Sequence, residues 1–293
     1  MKLQNLAYLE TETPMTRRAF LWRILVAGAA CSILPQLSAA DGSGSRQLKN
    51  IGIIGGVPKN MGTDWEKCLR RMAEMGYTEL EGGLRGTSPE AYLKFLDRIG
   101  LKLVSAGVKF GKTLAPDWLD TAKALQVRYA TVFWPWFYGP ATLTMAQLQE
   151  VATQLNKAGE QCKSAGLKLA VHNHDKEFQL LEGKPIMDRL IELTDAKLVA
   201  IELDIYWAVK GGADPVDYFK RYPGRFELLH VKDMDNTPEK LQAPVGSGVI
   251  DFARIFAHSD LAGVKHNIVE LEGPSNNMKG AELSVQFLKQ LRF

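Results

Sequence analysis

From residue 49 onward the chain alternates between short apolar runs and longer stretches with a helical period. The apolar runs fall at 50–56, 77–83, 101–110, 127–136, 167–174, 198–207, 226–233 and 266–273. Each is short and rich in Val, Ile, Leu or aromatic residues, which is the pattern of a strand covered on both faces. The stretches between them read as helices. Trp65, Leu69, Met72 and Met75 recur at three- and four-residue steps and so share one face. Thr63 or Asp64 can cap the start of that helix, and Gly76 its end. The segments SPEAYLKFLDRIG (88–100) and MAQLQEVATQLNKAGEQCKSAG (145–166) repeat the pattern. Eight strand–helix units in roughly 250 residues predict an α/β fold, a (β/α)8 TIM barrel spanning 49–293 as a single domain. A doubly wound sheet carrying a dinucleotide is a poorer match, because the glycine-rich GIIGGVPKN (52–60) lacks the GxGxxG order.

A barrel of this kind carries its chemistry at the C-terminal ends of the strands. Alternate residues of a strand share a face, so the ends of the last four strands can be read directly. Strand five delivers His172, with Asn173 and His174 just beyond it. Strand six carries Glu202 and Asp204 on one face, strand seven His230 and Lys232, and strand eight Glu270 and Glu272. Asp204 stands too far ahead of Asp214 and Pro215 to cap the helix expected there. Several carboxylates behind apolar runs cost several kcal/mol each unless a counter-charge meets them. A divalent cation supplies one. His172, Asp204, His230 and Glu270 form a mixed nitrogen and oxygen set suited to Zn, Mn, Co, Fe or Ni rather than Ca.

Other residues around that set are candidates for binding and proton transfer. Strand parity aims His172 inward and leaves His174 in the loop, facing substrate or supporting the ligands. Glu177, in the same loop, is either a catalytic carboxylate or a packing one. Lys232 either polarises a carbonyl or pairs with Glu202. Glu270 is a candidate base as well as a ligand. Trp136, Trp207 and Glu81 are expected to line the substrate pocket, with Trp134 and Tyr206 nearby; flat rings beside polar groups suit the apolar face of a sugar. Lys210, followed by Gly211 and Gly212, forms a small candidate anion site.

Charge and the first forty residues add an address. TRRAFLWRILVAGAACSILPQLSAA (16–40) has a twin arginine, Arg17 and Arg18, then an apolar stretch, then small residues. That is the layout of an exported leader of the twin-arginine type over 1–40, with 41–48 as a linker and a periplasmic or secreted destination. Arg23 and Pro35 leave an apolar span short of the ~20 residues that a transmembrane helix needs. Cys31 follows GAA rather than a lipobox, which argues against a lipid anchor. Taking the leader's four basic residues (Lys2, Arg17, Arg18, Arg23) and two acidic ones (Glu10, Glu12) from totals of 36 and 33 leaves 32 against 31. So even a balance argues against a nucleic-acid partner, which needs a concentrated positive field. Cys68 and Cys162 fall on expected helices with no CxxC spacing and read as buried free thiols. The C-terminal SVQFLKQLRF suits barrel closure or a homo-oligomer contact.

The stretches LAVHNHDKEF, ELDIYWAVKGGADPVDYFKRYPGRFELLHVKD, GSGVIDFARIF and VELEGP resemble the xylose isomerase-like TIM-barrel superfamily, in its sugar phosphate isomerase/epimerase branch. The resemblance implies one divalent metal, held at the ends of strands five to eight by His172, Asp204, His230 and Glu270, and a small sugar as substrate. The ketose epimerases of that superfamily place a glutamate on strand five as well as on strand eight. Here His172 stands in the first place, so the symmetry of two bases on opposite faces of the reacting carbon is lost. The expectation is therefore α-proton abstraction from a keto sugar or polyol by an isomerase or epimerase. A lyase or dehydratase acting on a 3-keto-glycoside or inosose is the alternative, and a non-catalytic periplasmic sugar-binding barrel is a third reading. The superfamily's endonuclease-IV type needs a three-metal cluster, but His258 reads as mid-helix and His266 opens a strand at its far end.

Overall fold

Eight short parallel strands close on themselves in chain order. They are β1 (Gly52–Ile54), β2 (Glu79–Glu81), β3 (Lys102–Gly107), β4 (Tyr129–Val132), β5 (Lys168–His172), β6 (Val199–Asp204), β7 (Phe226–Val231) and β8 (His266–Val269). The computed structural model describes residues 44–56, 63–115, 117–137 and 143–293. The expected leader, including Cys31, and the first part of the linker lie outside the described residues. Among the described residues no helix is long and apolar enough to cross a membrane.

The local signals act as the sequence suggests. Asp64 caps the helix Trp65–Met75 by accepting from Lys67 N, and Gly76 ends it. The helix Met145–Ser164 starts with a reciprocal capping box between Thr144 and Gln147, which satisfies two otherwise orphaned backbone donors. The apolar faces of these helices pack on the outer face of the barrel, around residues such as Leu69, Met72, Leu148 and Leu155. Inside the barrel, Val104, Tyr129, Ala170, Leu228 and Ile268 form a separate apolar plug. Burying each large aliphatic side chain contributes about 1.5–3 kcal/mol, so the plug adds to the stability of the five strands that supply it.

Three boundaries differ from the sequence reading. The sixth apolar run stops being a strand at Asp204, and a short helix, Ile205–Lys210, follows at once. The expected linker is docked in its described part: Arg46 and Phe293 exchange two backbone hydrogen bonds of 3.2 Å, and Leu48 packs on the core. His258 marks the junction of two short helices rather than the middle of one, with Nδ1 2.9 Å from the Arg254 carbonyl. Cys68 and Cys162 are buried free thiols, which burial pushes up to about 11 and about 12 respectively.

Beneath the apolar plug, the N-terminal ends of the strands carry a closed ion cluster. The buried Glu227 carboxylate accepts from the Tyr129 hydroxyl at 2.7 Å, from Lys265 Nζ at 2.7 Å and from Lys168 Nζ. His266 Nδ1 lies 2.8 Å from Glu79 Oε2 on the same side. Burial would raise the Glu227 carboxyl, but hydrogen bonds from Lys168, Lys265 and Tyr129 outweigh it and pull the group down to about 2. A carboxyl whose folded value is depressed stabilises the protein above its unfolded value of about 4.3. That contribution disappears as pH falls through about 2. Glu227→Gln is therefore expected to cost about 3 kcal/mol at neutral pH in urea unfolding. It should also flatten the acid limb of stability between those two pH values, and an unchanged limb would disprove the role.

Candidate metal centre at the barrel mouth

The strand registers set the heights of the polar groups. His172 pairs with Glu202 across β5 and β6, Glu202 with Leu228 across β6 and β7, and Asp204 with His230. Two residues along a strand rise about 6.6 Å. Glu202 therefore sits one pleat below Asp204, and Lys232, just past β7, sits one pleat above His230. That depth difference overturns the expected pairing of Lys232 with Glu202. Lys232 Nζ instead lies 2.9 Å from Asp204 Oδ2, 2.6 Å from Glu270 Oε2 and 3.0 Å from Glu272 Oε2.

His172, Asp204, His230 and Glu270 come together at this level, each offering a ligand atom within 4.8 Å of the others. His172 Nε2 is 3.9 Å from Asp204 Oδ2, while His230 Nδ1 is 2.9 Å from Glu270 Oε2 and 3.8 Å from Asp204 Oδ2. Asp204 has two jobs, and here the sequence reading is corrected. Its Oδ1 caps the helix Ile205–Lys210 by accepting from Trp207 N at 2.9 Å, which frees Oδ2 to face the ring. The cap went unseen because the strand was expected to run on to Trp207. Glu270 lies just past β8, with its N–H donating to the Val231 carbonyl at 3.3 Å.

Glu81, expected in the substrate pocket, lies beneath the ring. It reaches across the barrel from β2 and places Oε1 2.7 Å from His230 Nε2, with Glu202 Oε2 3.4 Å from the same nitrogen. Glu81 and Glu202 are both fully buried. Glu81 Oε2, both Glu202 oxygens and His172 Nδ1 have no hydrogen-bond partner among the described residues.

The charges push one another apart. Burial, reinforced by His230 and Lys232, drives His172 well below its ordinary value and keeps it a neutral imidazole. Burial and the facing Glu81 carboxylate raise Glu202 strongly. Burial also raises Asp204, against the pull of Lys232. For His230 burial acts downward, but Glu202, Glu81 and Glu270 outweigh it and raise the group. Burial likewise opposes the charge on Lys232, and Asp204, Glu270 and Glu272 overcome it. Burial would raise Glu270, but His230 and Lys232 hold it below the usual carboxylate range.

The rim holds the remaining candidates. The His174 ring sits 5.4 Å from that of Trp134 and 5.6 Å from that of Trp207, and Trp134 is 48% exposed. Glu177, considered as a catalytic group, is buried with both oxygens engaged. Oε1 accepts from the Trp136 indole, and Oε2 accepts from the His174 N–H at 2.8 Å. Its role is to hold the loop that carries His174, and Trp136 is turned into that support. Lys210 donates to the Tyr206 hydroxyl at 2.8 Å and lies 5.3 Å from the Trp207 ring, so the expected anion site is an amine already engaged by its own helix.

Two parts of the site escaped the sequence reading. Gly107 lets the Phe133 ring come close, since a Cβ there would stand 2.6 Å from Phe133 Cε2. That ring packs 5.8 Å from His172 and 6.2 Å from His230. Asp233, next to Lys232, accepts backbone N–H bonds from Met234, Gly246, Gly248 and Ile250 at 2.8–3.2 Å. A Cβ on Gly248 would meet Asp233 Oδ1 at 2.4 Å. The available signal was GSG (246–248), a glycine pair able to close on a buried carboxylate. The pinned loop follows Gln242, which donates to Glu272 at 2.8 Å.

The donor set fits a divalent ion of the Zn, Mn, Co, Fe or Ni class. One neutral imidazole, a second imidazole and two carboxylates converge, and an Asp204 oxygen faces the ring with an ion pair but no directed hydrogen bond. Comparison with known proteins agrees with this architecture. The chain is 29% identical over 232 residues to an inosose dehydratase of Geobacillus kaustophilus, covering 66% of this chain and 74% of that protein. An inosose dehydratase of Clostridium perfringens is 32% identical over 191 residues, covering 58% and 64%. The solved structure of a sugar phosphate isomerase/epimerase from Parabacteroides distasonis superposes with a TM-score of 0.68 at 27% identity, covering 86% of this chain and 97% of that one. The family model for xylose isomerase-like TIM barrels matches residues 83–291, and the chain belongs to that family.

Proposed function

We propose that the barrel mouth is a divalent-metal centre that removes the proton α to the carbonyl of a keto sugar or cyclic keto-polyol, after which water is lost. The carrying observation is the convergence of His172, Asp204, His230 and Glu270 within 4.8 Å at the C-terminal end of the barrel. A bound divalent ion supplies Lewis acidity toward a carbonyl and a neighbouring hydroxyl. The residues supply the rest. Glu270, kept ionised by His230 and Lys232 against the effect of burial, accepts the α-proton. Lys232, which stays cationic among three carboxylates, stabilises the negative oxygen that develops as the proton leaves. His174, between Trp134 and Trp207, gives a proton to the departing β-hydroxyl. The C–O bond breaks with its electron pair on oxygen, a C=C bond forms and water departs. Trp207 and Trp134 offer ring faces to the apolar side of the sugar.

Loss of water is favoured over inversion because the position of a second base is occupied by His172, a neutral imidazole in the ligand ring. Glu272 does not replace it, since Lys232 and Gln242 both donate to its Oε2. The inosose dehydratases among the relatives point the same way. A second reading, isomerase or epimerase, shares the proton abstraction and is favoured by the likeness to the Parabacteroides protein. The proposal includes export, on the strength of Arg17 and Arg18 and the apolar stretch behind them.

The test is NMR in D2O of an inosose and a 3-keto-glucoside, with protein loaded with zinc, manganese or cobalt. Loss of water that stops on chelation is expected. Solvent deuterium at the α-carbon without loss of water would select the isomerase reading, and no change at any carbon with any metal would reject both. At saturating metal, Glu270→Gln is expected to lower kcat about 10²–10⁴-fold. Asp204→Asn separates the two jobs of that residue. The amide keeps an oxygen for the cap, so the melting temperature should hold within a few degrees while metal affinity, read by calorimetry, collapses. Asp204→Ala should lose the metal and in addition about 1 kcal/mol of capping. Asp204→Asn that binds metal like the wild type would remove Asp204 from the ligand set.

A further inference from the structure

We infer that Glu81 is a positioning residue for the metal centre, holding the His230 ring so that Nδ1, and not Nε2, is presented to His172, Asp204 and Glu270. The inference rests on the metal reading above and concerns residues one layer below it. An imidazole can bind a metal through either nitrogen, and the hydrogen bond made by the other nitrogen decides which. In this barrel the two nitrogens of His230 face different layers. Nδ1 looks up, 2.9 Å from Glu270 Oε2. Nε2 looks down, 2.7 Å from Glu81 Oε1 and 3.4 Å from Glu202 Oε2.

Glu81 has the marks of a dedicated partner. It comes from β2, across the barrel from β7, so local sequence does not explain its contact with His230. It is fully buried and has no access to solvent. Its Oε2 and both Glu202 oxygens have no hydrogen-bond partner among the described residues, so the pair of carboxylates offers acceptors around Nε2. A neutral imidazole that ligates through Nδ1 must carry its hydrogen on Nε2, and Glu81 Oε1 stands where that hydrogen points. Glu81 thus fixes the ring's orientation and tautomer and strengthens Nδ1 as a donor. Carboxylates in that relation to a ligating histidine typically govern metal affinity by about 10–100-fold. Glu202, at the longer distance, makes the smaller contribution.

Zinc is a suitable probe because it is diamagnetic. In 15N-histidine spectra of the zinc-loaded wild type, His230 should show a metal-bound Nδ1 and an Nε2–H proton far downfield. Glu81→Gln, which keeps the side-chain shape, should move that proton upfield and weaken zinc binding about 10–100-fold. Glu202→Gln should weaken it less, and the melting temperature of the metal-free variants should change little. Zinc bound through Nε2 would overturn the inference from the wild-type spectrum alone, whether or not a variant folds. Zinc affinity of Glu81→Gln within twofold of wild type would overturn it too, leaving the metal reading intact. A wild type that binds none of zinc, manganese or cobalt would defeat the metal reading itself, and the inference with it.

Discussion

Excess negative charge in a buried barrel mouth is the constraint on which the site depends. Glu81, Glu202 and Asp204 are fully buried and Glu270 is partly buried, while Lys232 is the one side chain among them with a permanent positive charge. Carboxylates removed from water cost several kcal/mol each unless paired. The imidazoles respond in opposite directions: His172 is held neutral, whereas His230, placed between two layers of carboxylate, is driven toward its charged form. A divalent ion, as proposed, would meet the same imbalance with one species, taking His172 through a lone pair and Asp204 and Glu270 as anions. The electrostatic problem and the proposed chemistry thus share one solution.

Barrel geometry is what makes so dense a cluster tolerable. The apolar plug of Val104, Tyr129, Ala170, Leu228 and Ile268 fills the interior beneath the mouth, and the strand registers sort the polar groups into layers. Glu202 and Glu81 fall below the ligand ring, Asp204 and His230 within it, and Lys232 with Glu272 above it. Support from outside the barrel completes the arrangement. Glu177 holds the backbone of His174 and the indole of Trp136, and Asp233 gathers four backbone N–H groups of the loop beside Lys232. Both of these carboxylates act on position rather than on substrate, and each stands within a few residues of a group that faces the mouth.

What could be read from the sequence follows from this layering. The eight strands were legible because each apolar run is bounded by polar or glycine residues, and the convergence of His172, Asp204, His230 and Glu270 was legible because period-two parity survives in the sequence of each strand. Depth was not legible. Whether Lys232 meets Glu202 or Asp204 depends on the stagger between β6 and β7, which includes a register shift between Ile201 and Glu202, and stagger leaves no mark in either strand alone. Glu81 was misplaced for the same reason: its partner lies three strands away around the barrel, across the interior. Asp204 as a cap was missed because Ile205, Tyr206 and Trp207 have the composition of a strand, and tertiary packing makes them a helix.

The two ends of the barrel show how one set of ingredients yields opposite results. At the floor, Glu227 meets Lys168, Lys265 and a tyrosine hydroxyl, so cations outnumber anions around it and its carboxyl drops to about 2. Both Glu227 oxygens are engaged there, and the cluster ties residues at the feet of four strands together. At the mouth the ratio is reversed. Carboxylates outnumber cations, Glu202 and Asp204 rise while Glu270 falls, and buried oxygens remain without hydrogen-bond partners. An arrangement selected for stability alone would have matched these charges as the floor does. The unmatched carboxylates set the mouth apart from the floor, and the direction of the mismatch is what makes a cation the proposed ligand.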